Sequence, residues 1–396
     1  MVSQKMYELG ANRSLIRQLF EHGIRQAAIV GPENVYDYSI GNPSIPSPPE
    51  VKEAILGVLE EMDSVEIHGY TTAKGDAETR QAIADDLNRR YDGGLRADNF
   101  FLTCGAAPAL NAVFRALTLS EKSEFIVIAP YFPEYKPFVE SSGGKLVIVE
   151  ADTEEFQIRF DALEAAIGPD TQAVIINSPN NPSGTVYTAE TIAKLGELLR
   201  RKGAELGHTI YIVADEPYRE LVYDNTVVPF IPSIYENTVV CYSYSKSLSL
   251  PGERIGYVCV PDCVTDSEAV YAAVAGASRS FGHVCTPALW QKALARCTHL
   301  RPDLEAYRRN RDLLQKGLQD IGYRTAKADG AFYLFVQVPN GESEEEYFLR
   351  AKEKNVLFVP GSSFGCPGWF RLCYCVSADT IRRSLPVFAE LYAETV

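Results

Sequence analysis

The sequence has no long hydrophobic run, no CxxC pair and no histidines at metal-ligand spacing, and each absence removes a class of function. Without about twenty consecutive apolar residues there is no candidate membrane span. The first residues, MVSQKMYELGANRSLIRQLFEHGIRQ, mix both charges with apolar residues at helical spacing, so they read as neither a signal peptide nor a span. The 5 histidines, His22, His68, His208, His283 and His299, are scattered, which argues against a zinc hydrolase. The 9 cysteines are odd in number and dispersed. Unpaired thiols fit a reducing, cytoplasmic compartment. Cys373 and Cys375 fall on one face of an expected strand but read as buried structural thiols, and no metal is assigned. Phosphate loops of the GxxxxGK[ST] or GxGxxG kind are absent, which argues against a nucleotide-binding enzyme. Basic residues are outnumbered 38 to 52, and a net charge of −14 repels nucleic acid and anionic lipid. Small molecules are the expected partners.

What is present is enough apolar sequence, 46% of 396 residues, for a large core in two domains. Short apolar runs alternate with longer helical patterns from Phe100 to Val260, the rhythm of an α/β sheet covered by helices. Strands are expected at Phe100–Thr103, Phe125–Ala129, Lys145–Val149, Ala173–Asn177, Ile210–Ala214, Val239–Tyr242 and Gly256–Val260. Most are apolar at consecutive positions, so a mainly parallel seven-stranded sheet sandwiched by helices is predicted. Further on, a charged helix at Asp303–Gln319, strands near Ala331–Val338 and Trp369–Cys375 and a C-terminal helix imply a smaller α+β domain. The proline-rich stretch 41–49 is loop material. The expected division is therefore 1–48, an N-terminal segment packing with the small domain or a partner subunit; 49–289, the large domain; and 290–396, the small domain.

Reactive residues collect just beyond the expected strand ends, where an open α/β sheet binds its ligand. Lys246, in Ser-Tyr-Ser-Lys-Ser-Leu-Ser, follows one strand. A lone lysine in such a loop is usually solvated, but a pocketed one loses its proton and attacks carbonyls. Asp215-Glu216-Pro217-Tyr218 follows another, as a helix cap or as a carboxylate able to hold a pyridine nitrogen protonated. Asn177-Ser178-Pro179-Asn180-Asn181-Pro182-Ser183-Gly184 is either a bare turn or a source of amide donors. Gly105-Ala106-Ala107 opens a helix whose free N–H groups suit a phosphate, and Arg254 could add a guanidinium or simply pair with Glu253. Together these are the parts of a pyridoxal 5′-phosphate site.

With IGNP at 40–43, Tyr70 and Gly75, GAAPAL at 105–110, APYFPEY at 129–135, NSPNNPSG at 177–184, DEPY at 215–218, SYSKSLSLPGERIGY at 243–257 and Arg371, the chain resembles the class I/II aminotransferases of the aspartate aminotransferase family, fold type I, over nearly its whole length. The resemblance implies that Lys246 forms the aldimine with pyridoxal phosphate and shuttles the proton, with Asp215 the pyridinium partner. Asn181 and Tyr218 would bond the cofactor's ring oxygen, and Tyr131 would stack on its ring. Ser243, Arg254 and the Gly105, Ala106 and Ala107 turn would hold the phosphate, with Tyr70 supplied by the other subunit of a homodimer. Arg371, with Gly41 and Asn181, would grip the substrate carboxylate. Relatives often carry Ser or Thr where Ala106 and Ala107 stand, so backbone donors must suffice here. The implied reaction is ping-pong transfer of an amino group from an L-amino acid to a 2-oxo acid. Arg279, placed like an arginine that reaches an acidic side chain from the partner, points to aspartate and glutamate. A carbon–sulfur β-lyase of the same fold, or a non-catalytic binding relative, stands as the alternative.

Overall fold

The computed structural model describes residues 1–11 and 15–395. Among the described residues twelve strands succeed one another: β1 (Tyr36–Asp37), β2 (Phe100–Thr103), β3 (Glu124–Ile128), β4 (Lys145–Val149), β5 (Thr171–Asn177), β6 (Tyr211–Asp215), β7 (Thr238–Ser243), β8 (Gly256–Cys259), β9 (Tyr333–Gln337), β10 (Val356–Leu357), β11 (Val359–Pro360) and β12 (Trp369–Cys373). Seven form one sheet in the order β2-β8-β7-β6-β5-β3-β4. All neighbours in it are parallel except at β8, which runs antiparallel to both β2 and β7. The mainly parallel architecture expected from consecutive apolar positions is therefore the one observed, since helices cover both faces and leave no polar side. One apolar cluster joins Ile126, Val174, Ile212 and Val240 to the helices on one face. A second joins Phe125, Ala173, Val213 and Val239 to those on the other. Alternate residues of each strand thus feed opposite cores.

The strands β11, β12 and β9 form a small antiparallel sheet packed by helices Leu304–Ile321 and Ala378–Ala393. The first of these helices is capped by Asp303, whose carboxylate accepts from the Ala306 amide. β1 pairs in parallel with β10, and the chain stays on this layer as Tyr38 N–H donates to Leu357 O and Cys373 N–H to Tyr38 O. That stitching carries Ser39 and Gly41 from the N-terminal segment to the cleft between the two sheets. Helix Ala288–Ala295 lies against helices Pro49–Glu61 and Ala77–Tyr91, with Ala293 and Leu294 in the core of the large sheet. Among the described residues no helix is long and apolar enough to cross a membrane, and no His, Cys, Asp and Glu cluster could hold a metal ion.

Candidate active site

The parallel strands deliver their C-terminal ends to one edge of the large sheet, and the polar residues there either close a strand or lie immediately beyond it. Asp215 closes β6, the central strand, in register with Asn177, which closes β5. Ser243 closes β7 and caps the short helix Tyr244–Ser247, which holds Lys246. Past β2, Gly105 caps helix Ala106–Leu117 at φ +93°, a backbone conformation open to glycine. Because β8 runs the other way, it brings its start to this edge, which is why Arg254 precedes a strand instead of following one. Gly256 permits this close approach: a Cβ there would come within 2.2 Å of Tyr242 O and 3.0 Å of Gly105 Cα.

These ends line a cavity of about 310 Å³, at the small end of the usual range for ligand pockets. Of the residues singled out from the sequence, Gly41, Ala106, Ala107, Asn181, Asp215, Tyr218, Ser243, Lys246, Arg254 and Arg371 line it together. Gly105 stands just behind, where a Cβ would meet Arg254 Nη2 at 2.8 Å. Tyr131 is placed differently. It is buried, its N–H donates to Phe364 O, and its ring lies where a Cβ on Gly365 would be 2.8 Å away. Its neighbour Phe132 lines the cavity instead. Tyr70 is 90% exposed, and Arg279 is exposed near the end of helix Ser267–Ser280; neither lines the cavity of its own chain.

The polar contacts are specific. Lys246 Nζ donates to Gly41 O at 2.7 Å. Burial lowers the pKa of its ammonium, and the Arg371 and Arg254 charges lower it further against the opposing pull of Cys375 and Cys373. Asp215 accepts at Oδ2 from the Tyr135 hydroxyl at 2.6 Å, while its Oδ1 is buried without a partner. Burial pushes its carboxyl up to about 7; the Tyr135 hydrogen bond opposes the shift and the neighbouring Glu216 charge adds to it. Asn177 Nδ2 donates to Asp215 O at 2.9 Å, and Asn177 Oδ1 accepts from the Asn181 N–H at 2.7 Å. Tyr218 and Tyr333 place their hydroxyls 3.0 Å apart. Arg371, 2% exposed, donates from Nη1 to Asn181 Oδ1 at 2.9 Å and from Nη2 to Ser39 O at 2.6 Å, while its Nε is buried without a partner. It stacks between the rings of Tyr333 and Phe364, at 4.5 and 5.0 Å. Ser243 and Ser245 share a 2.6 Å hydroxyl contact, and Arg254 donates to Pro251 O and Cys104 O.

Sequence reasoning missed Ile16, Phe132, Tyr135, Ser245 and Tyr333. Asn177 was legible as the polar end of an apolar run. Nothing local distinguishes Tyr333 from the other aromatics of its strand.

A buried carboxylate oxygen lacking a donor, a buried amine with depressed basicity and a helix N-terminus beside an arginine define an enzyme that works through an aromatic, phosphorylated carbonyl cofactor. The pattern described as aminotransferase class I and II matches residues 33–387. The aspartate/prephenate aminotransferase of Thermus thermophilus is 33% identical over 361 residues, covering 89% of each chain. The aspartate aminotransferase of Thermotoga maritima is 29% identical over 393 residues, 97% of each chain. Among solved structures, an amino transferase from Eubacterium rectale is 56% identical at a TM-score of 0.98, covering 100% of this chain and 99% of that one. Aspartate aminotransferase from Thermus thermophilus with maleate is 28% identical at a TM-score of 0.86, covering 99% of each. The chain belongs to the class I and II aminotransferases and is a transaminase dependent on pyridoxal phosphate.

Proposed function

We propose that this enzyme moves the amino group of an L-amino acid to a 2-oxo acid in two half-reactions with ping-pong kinetics, with Lys246 as the group that binds the cofactor and moves the proton. The observation that carries the reading is Asp215 Oδ1, buried and partnerless in the same cavity as Lys246 and Arg371. A pyridinium N–H is the donor this oxygen lacks, so the residues present fit the cofactor. Bound there, pyridoxal phosphate supplies an electron sink that makes the α-proton of an attached amino acid labile.

The chain's own residues do the rest. Lys246 Nζ, whose depressed pKa favours the neutral amine, would take the α-proton and deliver it to the cofactor carbon on the other side of the amino nitrogen. Asp215 keeps the ring nitrogen protonated. Tyr218, and the NH2 of Asn181, whose Oδ1 is already engaged by Arg371, donate to the ring oxygen. The Ala106 and Ala107 amides at a twelve-residue helix's N-terminus, with Ser243 and Arg254, hold the phosphate. Phe132, in the place expected of Tyr131, forms the apolar wall for the ring. Arg371 grips the substrate carboxylate with Gly41 and Asn181 close by.

We assign Tyr70 and Arg279, both exposed, to the cavity of a second copy in a homodimer. In this reading residues 49–289 carry the cofactor site, with helix Ala288–Ala295 packed on the same large sheet, and the rest of 290–396, joined by residues 1–48, carries Arg371. Nine unpaired thiols fit a cytoplasmic setting. Aspartate and glutamate are the proposed donors, supported by the names of the relatives and by Arg279.

The test is an absorbance spectrum with pyridoxal phosphate, before and after a panel of amino acids. A band near about 420 nm that shifts with a donor and is absent in Lys246→Ala supports the reading; no band at any cofactor concentration overturns it. Unchanged aspartate and glutamate turnover in Arg279→Ala rejects the acidic-substrate assignment alone.

A further inference from the structure

Tyr333, the first residue of β9, touches three separate parts of the cavity. Its hydroxyl lies 3.0 Å from that of Tyr218. The Arg371 guanidinium rests 4.5 Å above its ring centre. A Cβ on Gly41 would fall 2.1 Å from its hydroxyl oxygen, so only glycine at 41 allows this packing while offering its carbonyl to Lys246. We infer that Tyr333 is a positioning residue that sets the direction in which Tyr218 donates its hydroxyl proton and supports the Arg371 guanidinium on its ring. This deepens the site proposed above and rests on it.

The number of protons in the pair limits what it can donate to a third group, and either hydroxyl can be the donor in the contact between them. Each phenol carries one O–H, and burial keeps both protonated, with pKa values raised above the ordinary tyrosine range. In a pair, one hydroxyl donates to the other and only one proton remains for a third oxygen. If Tyr333 donates to Tyr218, the proton of Tyr218 is free for the cofactor's ring oxygen, and a phenol that accepts one hydrogen bond is a stronger donor of the next. The charged and titratable groups facing Tyr333 are Arg371 and Cys373 on β12, Cys375 just past its end, and Tyr218 from the large domain. The arginine sits over the π face, where the ring quadrupole holds a cation without taking up its N–H donors. One side chain therefore serves both the oxygen contact and the carboxylate contact.

Tyr333→Phe and Tyr333→Leu separate the two roles. A donor to the ring oxygen favours the form with most negative charge there, so losing it raises the pH midpoint of the bound cofactor's visible band. Tyr333→Phe is expected to raise that midpoint by about half to one unit, with KM for the amino donor within about twofold of wild type. Tyr333→Leu is expected to show the same midpoint and a KM about five- to tenfold higher, because the ring beneath Arg371 is gone. In a Tyr218→Phe background, Tyr333→Phe should move the midpoint no further, and this pair carries the test if the leucine variant fails to fold. An unchanged midpoint in Tyr333→Phe, or additive shifts in the double variant, overturns the inference while leaving the site intact. Absence of the band in wild type overturns both.

Discussion

The hydrogen bond from Tyr135 to Asp215 gives a prediction whose size can be worked out from the structure. Tyr135→Phe keeps the ring, which is packed in the core beside Phe132 and Val139, and removes only the hydroxyl. The carboxylate loses the donor to Oδ2, and its Oδ1 has none to replace it. A hydrogen bond to a charged group contributes about 1.5–3 kcal/mol, which is about one to two pKa units. The carboxyl, already pushed up to about 7, should rise to about 8.5. A raised carboxyl pKa favours the neutral form at every pH below it, so binding of a cationic ring nitrogen weakens as pH falls through that value and recovers above it. At about pH 7 the ionised fraction drops from about one half to about one thirtieth, and cofactor affinity should fall about 15-fold. At about pH 9.5 both proteins are ionised and the difference should shrink below about twofold. Titrating apoenzyme with pyridoxal phosphate at the two pH values, followed by tryptophan fluorescence, measures this directly. An equal loss at both would show that Tyr135 acts through packing, and no loss at either would show that the bond does not govern the ionisation.

Three other perturbations test the remaining contacts. Lys246→Ala should retain pyridoxal phosphate through its other contacts but lower the single-turnover rate by about 10²–10⁴, the usual worth of a positioned acid–base group; exogenous methylamine should restore part of it. Arg371→Leu removes a buried cation that also ties Asn181 to Ser39. Substrate affinity, read from the donor-induced spectral shift, should fall by about 2–5 kcal/mol, whereas a loss below tenfold would place the carboxylate elsewhere. In Gly105→Ala the new Cβ meets Arg254 Nη2 at 2.8 Å in a left-handed backbone, φ +93°. Displacement of the arginine and backbone strain of about 1–2 kcal/mol should weaken cofactor binding about tenfold with little change in KM for the amino donor.

The sheet was legible because its strands are apolar on consecutive positions, but their ends were displaced in an informative way. Expected strands stop at the last apolar residue, as at Ala214 and Tyr242, whereas the ladder continues onto polar ones: Asp215 pairs with Asn177 and Cys241, and Ser243 with Gly256. Those polar extensions are the residues that enter the cavity. Backbone pairing is indifferent to the side chain, so a reading by hydrophobicity loses the strand where the site begins. β1, β10 and β11 are two residues each, too short for any period to register. Tyr131 and Phe132 are adjacent aromatics of similar character, and which one faces the cavity is decided by Gly365 and Phe364, more than two hundred residues along the chain. Tyr333 owes its place to Gly41 and Tyr218, both also distant along the chain. The motif residues were visible because their chemistry is unusual beside a strand end; the supporting aromatics have ordinary core chemistry and become functional only through tertiary contacts.

Beneath the cavity lies a run of buried charge that explains how Asp215 remains usable. Glu216 is ion-paired with Arg219, which also donates to Tyr257. Glu220 accepts from Arg90 at 2.8 Å and from the Tyr242 hydroxyl at 2.7 Å, and Tyr242 contacts Ser247 at 2.8 Å. The Arg219 guanidinium lies 4.8 Å from the centre of the Tyr242 ring, so the run passes from the residue after Asp215 to the residue after Lys246. Such buried pairs seldom add stability over apolar packing, because each charge has lost its water. Their effect here is on charge balance. A lone ionised Glu216 would repel the Asp215 carboxylate at close range in a medium of low dielectric; Arg219 supplies the opposite charge. Glu220 shows the stronger case: the Arg219 and Arg90 charges hold its carboxyl below the usual range despite complete burial. Burial raises the Asp215 carboxyl, the Tyr135 hydrogen bond to Oδ2 opposes the rise, and Arg219 offsets part of the Glu216 charge that adds to it, which leaves Asp215 with a pKa of about 7. In the function proposed above, a cationic ring nitrogen held at the partnerless Oδ1 would favour the ionised carboxylate, and that carboxylate would in turn keep the ring protonated.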